Sequence, residues 1–411
     1  MDKTTETVKG GGLLMKALVI APQPFFTPRG TPFSVYYRTL VTSELGVEVD
    51  LLTYGEGQDV EIPGVRIIRT PRFSWLGNIK TGPSFLKLFL DMFIVLRAVG
   101  LLLGRRYDFV HAHEEAVFFC TLLKPVFGFK LVYDMHSSLP QQLENFNFTS
   151  SRFFIGLFQK LEDTSIRASD AVITICPALA NYIEGLIGKQ HTHFLIENSI
   201  FDEVRVVEKK SAPAHTLDKE VAQQALIDLP KNTDLVVYAG TLEPYQGIDI
   251  LIKAFKTVQA TCPTARLLIA GGSQEQVRQY ANLARQEGVA EFCVFTGRVQ
   301  QAVAKHYTGI ATVLVSPRIA GINTPLKVYE QLAGGTPLVA TNIYSHTQIL
   351  NKSVAFLVEP NVEGLASGIV EALTSKEEGK RRAAEAQRLY DSEYSRPVYV
   401  SKMQRLLEIL K

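Results

Sequence analysis

Short, wholly apolar runs recur along this chain, each closed by a glycine, proline or small polar residue and followed by a longer stretch with helical character. Ala17-Leu18-Val19-Ile20-Ala21, Val47 to Tyr54, Val65 to Thr70, Phe109 to His113, Lys130 to Asp134 and Ala171 to Thr174 are the runs of the first half. Leu235 to Gly240, Leu267 to Gly271, Cys293 to Gly297, Ala311 to Val315 and Leu338 to Thr341 continue the rhythm in the second. Runs of this length without polar alternation predict strands covered on both faces, and the helical stretches between them predict crossovers of a parallel sheet. Right-handed crossovers then put helices on both sides of each sheet. The fold class is α/β, as two Rossmann-like domains.

The rhythm breaks once. Val204 to Asp234 is polar and charged, and it reads as a linker or surface insertion over 205–233. That divides the chain into a domain at 15–204, a second at 234–385 and a charged helical end at 386–411, expected to pack back toward the first domain. Residues 1–14 are polar and glycine-rich, without the apolar core of a secretory signal, and read as an alternative start or a flexible tail. Two facing sheets of this kind would place a cleft at their strand carboxyl ends, where open α/β sheets bind ligands.

Composition narrows the function. Among 411 residues, 43 Lys and Arg stand against 41 Asp and Glu, for a net charge of +2, so no nucleic-acid partner is indicated. Charge is uneven locally: Arg66, Arg69, Arg72, Lys80, Lys87, Arg97, Arg105, Arg106, Lys124 and Lys130 are opposed only by Asp91, Asp108, Glu114 and Glu115. Within that stretch Phe85 to Leu103 is the most apolar segment, but Lys87, Asp91 and Arg97 interrupt it. It reads as an amphipathic helix, either buried or lying on an anionic bilayer, rather than a membrane span. The four cysteines show no paired spacing and predict reduced thiols in a cytoplasmic protein.

The richest segment is Gly321-Ile322-Asn323-Thr324-Pro325-Leu326-Lys327-Val328-Tyr329-Glu330, then Gly334-Gly335-Thr336-Pro337 and the strand Leu338 to Thr341. A loop opening a helix presents unpaired N–H groups and a positive dipole end to an anion. Lys327 and Glu330, three apart, share a helix face, so one can meet a phosphate while the other accepts hydrogen bonds from a sugar diol. The plain alternative is a helix–strand unit with a solvated Lys-Glu pair.

This segment resembles the nucleotide-sugar site of family 4 retaining glycosyltransferases, which have the GT-B fold, and the resemblance runs along nearly the whole chain from Met15. Val237 to Gly247 is similar to the family's strand, glycine loop and Lys-Gly opening; Leu268 to Gly272 to its second glycine turn, with Gly271; and Phe295 to Val299, with Gly297 and Arg298, to the loop that grips the nucleobase. Asn198 in Ile196 to Ser199 resembles its crossing between domains. Glu330 matches the second glutamate of the E-x7-E motif, implying a ribose contact. The resemblance further implies donor contacts by Asn323, Thr324, Pro325, Leu326 and Lys327.

The chain also departs from the pattern. The family's phosphate-binding Arg and Lys correspond to Thr241 and Gln246, and its first motif glutamate to Ile322. A leaving nucleoside diphosphate gains charge in the transition state, so lost cations need replacement. Lys327 is the nearest substitute, Arg318 a second, and Arg29 in Pro28-Arg29-Gly30-Thr31-Pro32 a third from the first domain, where Gly30 would allow close backbone approach.

His136, in Tyr133-Asp134-Met135-His136-Ser137, resembles the family histidine that contacts the donor sugar; otherwise it is a satisfied loop histidine. Glu114 and Glu115 are a possible carboxylate base or ordinary loop acids. Zinc on His111, His113 and His136 is open on residue type, but GT-B sites need no metal, and none is assigned. The resemblance implies sugar transfer from a nucleoside-diphosphate sugar to a hydroxyl, with no other cofactor. The implied acceptor is a cell-envelope glycan or lipid-linked acceptor, with peripheral contact at the inner face of the membrane. A binding module with a decayed site, or a GT-B epimerase, are the alternatives.

Overall fold

The computed structural model describes residues 15–27, 30–73, 85–140, 152–198, 201, 204, 230 and 232–411. Of the expected features, Arg29, Lys80, residues 1–14 and nearly all of the 205–233 segment lie outside them. The chain forms two compact units: residues up to Thr174 with Ile183–Phe194 and Lys402–Lys411, and Ile175–Tyr182 with Leu195–Ser401.

The first unit carries β1 (Lys16–Ala21), α1 (Gly30–Glu44), β2 (Glu48–Thr53), β3 (Val65–Arg69), α2 (Phe85–Gly104), β4 (Phe109–His113), α3 (Ala116–Phe127), β5 (Lys130–Met135), α4 (Arg152–Ala168) and β6 (Ala171–Thr174). Then come α5 (Pro177–Ile187), which starts in the second unit, and β7 (His193–Leu195), the edge strand of the first sheet. The seven strands run in the order β3-β2-β1-β4-β5-β6-β7, and the paired registers are parallel. Beyond its first residue β1 is entirely buried, β4 is buried throughout, and β5 is buried after Lys130. That is what uninterrupted apolar runs require of a sheet sandwiched between helices.

The second unit carries β8 (Asp234–Ala239), α6 (Ile248–Thr261), β9 (Ala265–Ala270), α7 (Gln274–Gln286), β10 (Cys293–Gly297), α8 (Gln301–Gly309), β11 (Val313–Ser316), α9 (Leu326–Ala333), β12 (Leu338–Thr341), α10 (Tyr344–Thr347), β13 (Phe356–Val358), α11 (Val362–Thr374), α12 (Lys376–Glu393) and the start of α13 (Arg396–Ile409), whose residues from Lys402 on belong to the first unit. Its parallel sheet has the order β10-β9-β8-β11-β12-β13. One core gathers Ile248, Leu251, Phe255, Tyr280, Leu365 and Ile369 on one face of the sheet. Another gathers Val303, Tyr307, Val328, Tyr329 and Leu332 on the other.

In both sheets the strand order reverses beside the first strand, between β1 and β4 and between β8 and β11. Loops leaving adjacent strands there part to opposite faces and open a crevice at the strand carboxyl ends. Gly30 and Glu114 follow the strands of the first reversal; Gly240 and Arg318 follow those of the second.

Local detail corrects several expectations. Gly30 is the first residue of α1 rather than a loop residue, and a Cβ there would meet no protein atom within 4 Å. The charged end is not one helix over 386–411: α12 stops at Glu393 and α13 begins at Arg396. Pro397 fits there because the first turn of a helix needs no amide donor. Within the first unit, Lys130 Nζ donates to Ile409 O at 3.3 Å, tying the chain end to the start of β5.

Candidate functional site

In the second unit, Gly240 leaves β8 with φ 155° and Gly271 leaves β9 with φ 129°. A Cβ on Gly271 would lie 1.8 Å from the Gly240 carbonyl oxygen, so glycine here lets two loops touch through their backbones. Gly271 N donates to Gly297 O at 2.8 Å, which adds the third loop. Arg298, next along, is exposed. The loops expected to surround a nucleotide are therefore adjoining parts of one surface.

Thr241 and Gln246, the positions without the expected cations, stand in that surface. The Tyr238 hydroxyl donates to Thr241 O at 2.5 Å, and Gln246 Nε2 makes a long 3.5 Å contact with Thr241 Oγ1. Lys327 Nζ approaches from α9 to 3.5 Å from Gln246 Oε1. A Cβ on Gly240 would lie 3.6 Å from that Nζ. The lysine has in effect changed elements: its ammonium reaches the side chain of Gln246 from the helix rather than from the loop.

Arg318 follows β11. Its Nε donates to Ala320 O at 2.6 Å and its Nη1 to Asn323 O at 3.1 Å, and the guanidinium stands 5.2 Å from the Tyr245 ring centroid. It thus braces the approach to α9, whose Asn323, Thr324 and half-buried Pro325 and Leu326 form the turn. Among the described residues neither Lys327 nor Arg318 has a carboxylate within 4 Å. Burial, with Arg318 adding repulsion, lowers the Lys327 ammonium to about 7. His346 is nearby in charge space: burial pushes its imidazole down to about 4, and Lys327 and Arg318 push the same way. Its ring is held between Thr341 O at 2.8 Å and Ser316 Oγ at 2.9 Å. Cationic groups converging without a carboxylate make a surface ready for an anion.

Glu330 lies one turn on from Lys327 and keeps an exposed surface. Crowding by protein raises its carboxyl to about 7, opposed only by Lys305. Ile322, at the first motif position, is 39% exposed and brings no charge.

The first unit holds a different cluster. Asp134 on β5 is fully buried, and Arg38 Nε donates to its Oδ2 at 2.7 Å. His111 Nε2 lies 3.0 Å from the same oxygen. His136 Nε2 lies 3.3 Å from Oδ1 and 3.1 Å from His113 Nδ1. Burial alone would raise the Asp134 carboxyl, but Arg38 first and then the histidines hold it well below the usual carboxylate range. Burial lowers His136 to about 4 and holds His113 well below the usual imidazole range, so His136 is neutral at physiological pH. His136, in the bend that follows β5, is 3% exposed and is part of this buried polar cluster.

His111, His113 and Asp134 bring ligand-type atoms within 4.8 Å of one another. The fit to a metal is poor: the Arg38 guanidinium already occupies Asp134 Oδ2, and its charge opposes a cation there. Glu114 adopts φ 52°, accepts from Ser137 Oγ at 3.1 Å, and is raised to about 7 by burial and by Glu115. Glu115 is ion-paired with Lys87. Asp91, raised to about 7, accepts from the Tyr54 hydroxyl at 2.5 Å.

Those pairings alter the picture of α2. Lys87 bonds Glu115, and Arg105 bonds Glu48 and Asp50, so neither is a solvated basic group; Arg97 and Arg106 are the exposed ones. Nor is α2 amphipathic in the expected sense. Leu90, Ile94, Ala98 and Leu102 are buried, while Leu88, Met92, Leu96 and Leu103 on the other side are 62, 49, 63 and 74% exposed. Among the described residues no helix is long and apolar enough to cross a membrane.

Lys327, Glu330, Gln246 and Thr241 stand out in the sequence, and the structure brings the first, third and fourth together. Tyr238, Arg38, Asp134 and His346 do not stand out there as site residues. Only Tyr238 carried a signal, as an aromatic residue inside the strand that leads to the glycine loop.

Two parallel sheets with these loops at their strand ends are the architecture of the GT-B class of glycosyltransferases. Comparison with known proteins agrees: residues 37–198 match the Glycosyl transferase 4-like domain and residues 222–389 match Glycosyl transferases group 1. The chain belongs to the family 4 glycosyltransferases of the GT-B fold. It is 30% identical over 173 residues to the phosphatidyl-myo-inositol mannosyltransferase of Mycobacterium leprae, covering 40% of this chain and 45% of that protein. The match thus spans less than half of that relative's length. Sucrose-phosphate synthase from Thermosynechococcus elongatus superimposes with a TM-score of 0.71 at 18% identity, covering 96% of this chain and 98% of that one. Anabaena HepE in complex with UDP and glucose gives a TM-score of 0.67 at 16% identity, covering 96% and 99%. At such identities these two likenesses speak for the fold.

Proposed function

We propose that this protein moves a sugar from a nucleoside-diphosphate donor to a hydroxyl acceptor with retention at the anomeric carbon. The observation that carries the reading is the meeting of Lys327 with Gln246 and Thr241, at a surface where Lys327 and Arg318 have no carboxylate partner among the described residues. A site that has exchanged its cations between elements, rather than lost them, is still suited to a leaving diphosphate. Glu330 would accept the ribose hydroxyls, Gly271, Gly297 and Arg298 would border the base, and His136, neutral at pH 7, would hydrogen-bond a donor-sugar hydroxyl. In the reaction the bond from the anomeric carbon to the diphosphate oxygen breaks, the acceptor oxygen bonds to the same face, and its proton passes to the departing phosphate. No side-chain base, metal or further cofactor is needed.

The acceptor in this reading is a cell-envelope glycan or lipid, at the cytoplasmic face of an anionic membrane on which the outer side of α2 rests. The named lipid-linked acceptor of the mycobacterial relative supports that choice. Ile322, apolar where the family keeps a glutamate, favours as second reading a module that binds a sugar nucleotide without turnover. A panel of nucleoside diphosphates, followed by their sugars, separates the two. A rise in melting temperature with one diphosphate and slow release of it from its sugar supports transfer. No shift with any diphosphate would sink both.

A further inference from the structure

We propose that Tyr238 is a positioning residue of the diphosphate site, its ring face serving Lys327 as a neutral counterpart in place of a carboxylate. The proposal rests on the reading of this surface as a diphosphate site. A lysine only partly open to water still needs something that favours its charge. The usual solution is an acid, and here none pairs with it among the described residues; the charged neighbour that acts on Lys327 is Arg318, of the same sign. Glu330, one turn along α9, is instead balanced against Lys305.

What lies under the ammonium is an aromatic ring. Lys327 Nζ stands 4.0 Å from the Tyr238 ring centroid, well inside the roughly 6 Å over which a ring face attracts a cation. The ring cannot swing away: Tyr238 is completely buried in β8, and its hydroxyl donates to Thr241 O at 2.5 Å. One side chain therefore holds both parts of the site, the cation through its face and the loop after Gly240 through its hydroxyl.

The choice of ring over acid has a chemical consequence. A carboxylate would accept the ammonium hydrogens and leave the pair neutral, so an incoming phosphate would have to displace it. A ring face attracts the ammonium but leaves its net charge and its outward N–H groups for the ligand. In a site that lacks the family's loop arginine and lysine, the charge of the protonated lysine is then not cancelled by a protein acid. A tyrosine that served only as core packing would show no such link to Lys327.

The test grades the ring's negative face without altering its shape. Tyr238→Phe is compared with 4-fluorophenylalanine and 3,4,5-trifluorophenylalanine introduced at the same position of the full chain, measuring dissociation constants for inorganic pyrophosphate and for UDP, GDP and ADP. Stepwise weakening with fluorine count is expected, roughly two- to thirtyfold across the series. In a Lys327→Met background the same series should be flat and weak. A flat series with Lys327 present overturns the proposal. If Lys327→Met alone binds pyrophosphate and every diphosphate as the parent does, the diphosphate reading itself fails, whatever the fluorine does. Should loss of the hydroxyl unfold the Phe variant, fluorotyrosines at position 238 give the same graded series with the bond to Thr241 kept.

Discussion

Arg38 on α1 and Asp134 on β5 form an ion pair, Nε to Oδ2 at 2.7 Å, with 1% and 0% of their side chains exposed. Such a pair is weak evidence of net stabilisation, because both charges lose their water; removing one partner alone strands the other and typically costs about 3–5 kcal/mol. Arg38→Met should therefore lower the urea midpoint sharply. Arg38→Met combined with Asp134→Asn should recover much of the loss. If the single variant is as stable as the parent, Asp134 is balanced by its histidines and Arg38 is dispensable.

That cluster has a second consequence, through His136. Its Nε2 is held by His113 at 3.1 Å and lies 3.3 Å from Asp134, and its pKa near 4 keeps it neutral over the working range. A neutral hydrogen-bonding group that acts as charge builds on the sugar is felt in turnover more than in donor binding. His136→Ala should cut kcat by at least tenfold with little change in diphosphate affinity. Unaltered kcat in a folded variant would make His136 a structural member of the cluster alone.

The fold was readable because fully covered parallel strands leave an unambiguous trace: β4 is Phe109 to His113 both in the apolar pattern and in the structure. Strands such as β13, three residues long, were too short to stand out. Site residues were legible where a helix face sets spacing, as for Lys327 and Glu330. They were hidden where long-range packing decides. Nothing local joins Arg38 to Asp134, 96 positions on, nor makes Tyr238 a platform for a lysine from another element. The pairing of Lys87 and Arg105 was hidden for the same reason: their partners are distant in sequence.

Lys327 makes donor affinity depend on pH. Its ammonium titrates near 7 in the free protein, and a bound diphosphate would keep it charged to higher pH. Below pH 7 the lysine is charged in both states and its contribution is constant. Above 7 binding must take up a proton, so the dissociation constant should rise with pH, by up to about tenfold per unit until the pKa of the complex is passed. Titrations with UDP from pH 6.5 to 9 would show this slope, and Lys327→Met should abolish it. A slope that survives in Lys327→Met would assign the proton elsewhere.

Glu330 offers a sharper test of orientation. A carboxylate can accept from both hydroxyls of a ribose diol, whereas an amide has one accepting oxygen. Glu330→Gln should raise the donor KM several-fold, because the amide keeps one of the two accepting oxygens, with kcat less affected. Because the residue keeps an exposed surface, the fold should be retained. Equal donor KM in variant and parent would remove Glu330 from the ribose.

The outer side of α2 remains to be accounted for. Leu88, Met92, Leu96 and Leu103 stand exposed, with Arg97 and Arg106 as the solvated cations of the same segment. If this side rests on a bilayer, two kinds of variant should behave differently. Arg97→Gln with Arg106→Gln should weaken binding to vesicles containing phosphatidylglycerol, at roughly 1 kcal/mol per charge, and added salt should screen the difference. Leu88→Ser with Leu96→Ser should weaken binding to anionic and neutral vesicles alike, since it removes apolar area that either bilayer would cover. Neither pair should alter diphosphate affinity, because the residues around Lys327 belong to the other unit. Co-sedimentation at low and high salt decides the matter: parent protein that ignores both vesicle types would mean that the exposed leucines serve another partner and that the acceptor is not presented on a membrane through this helix.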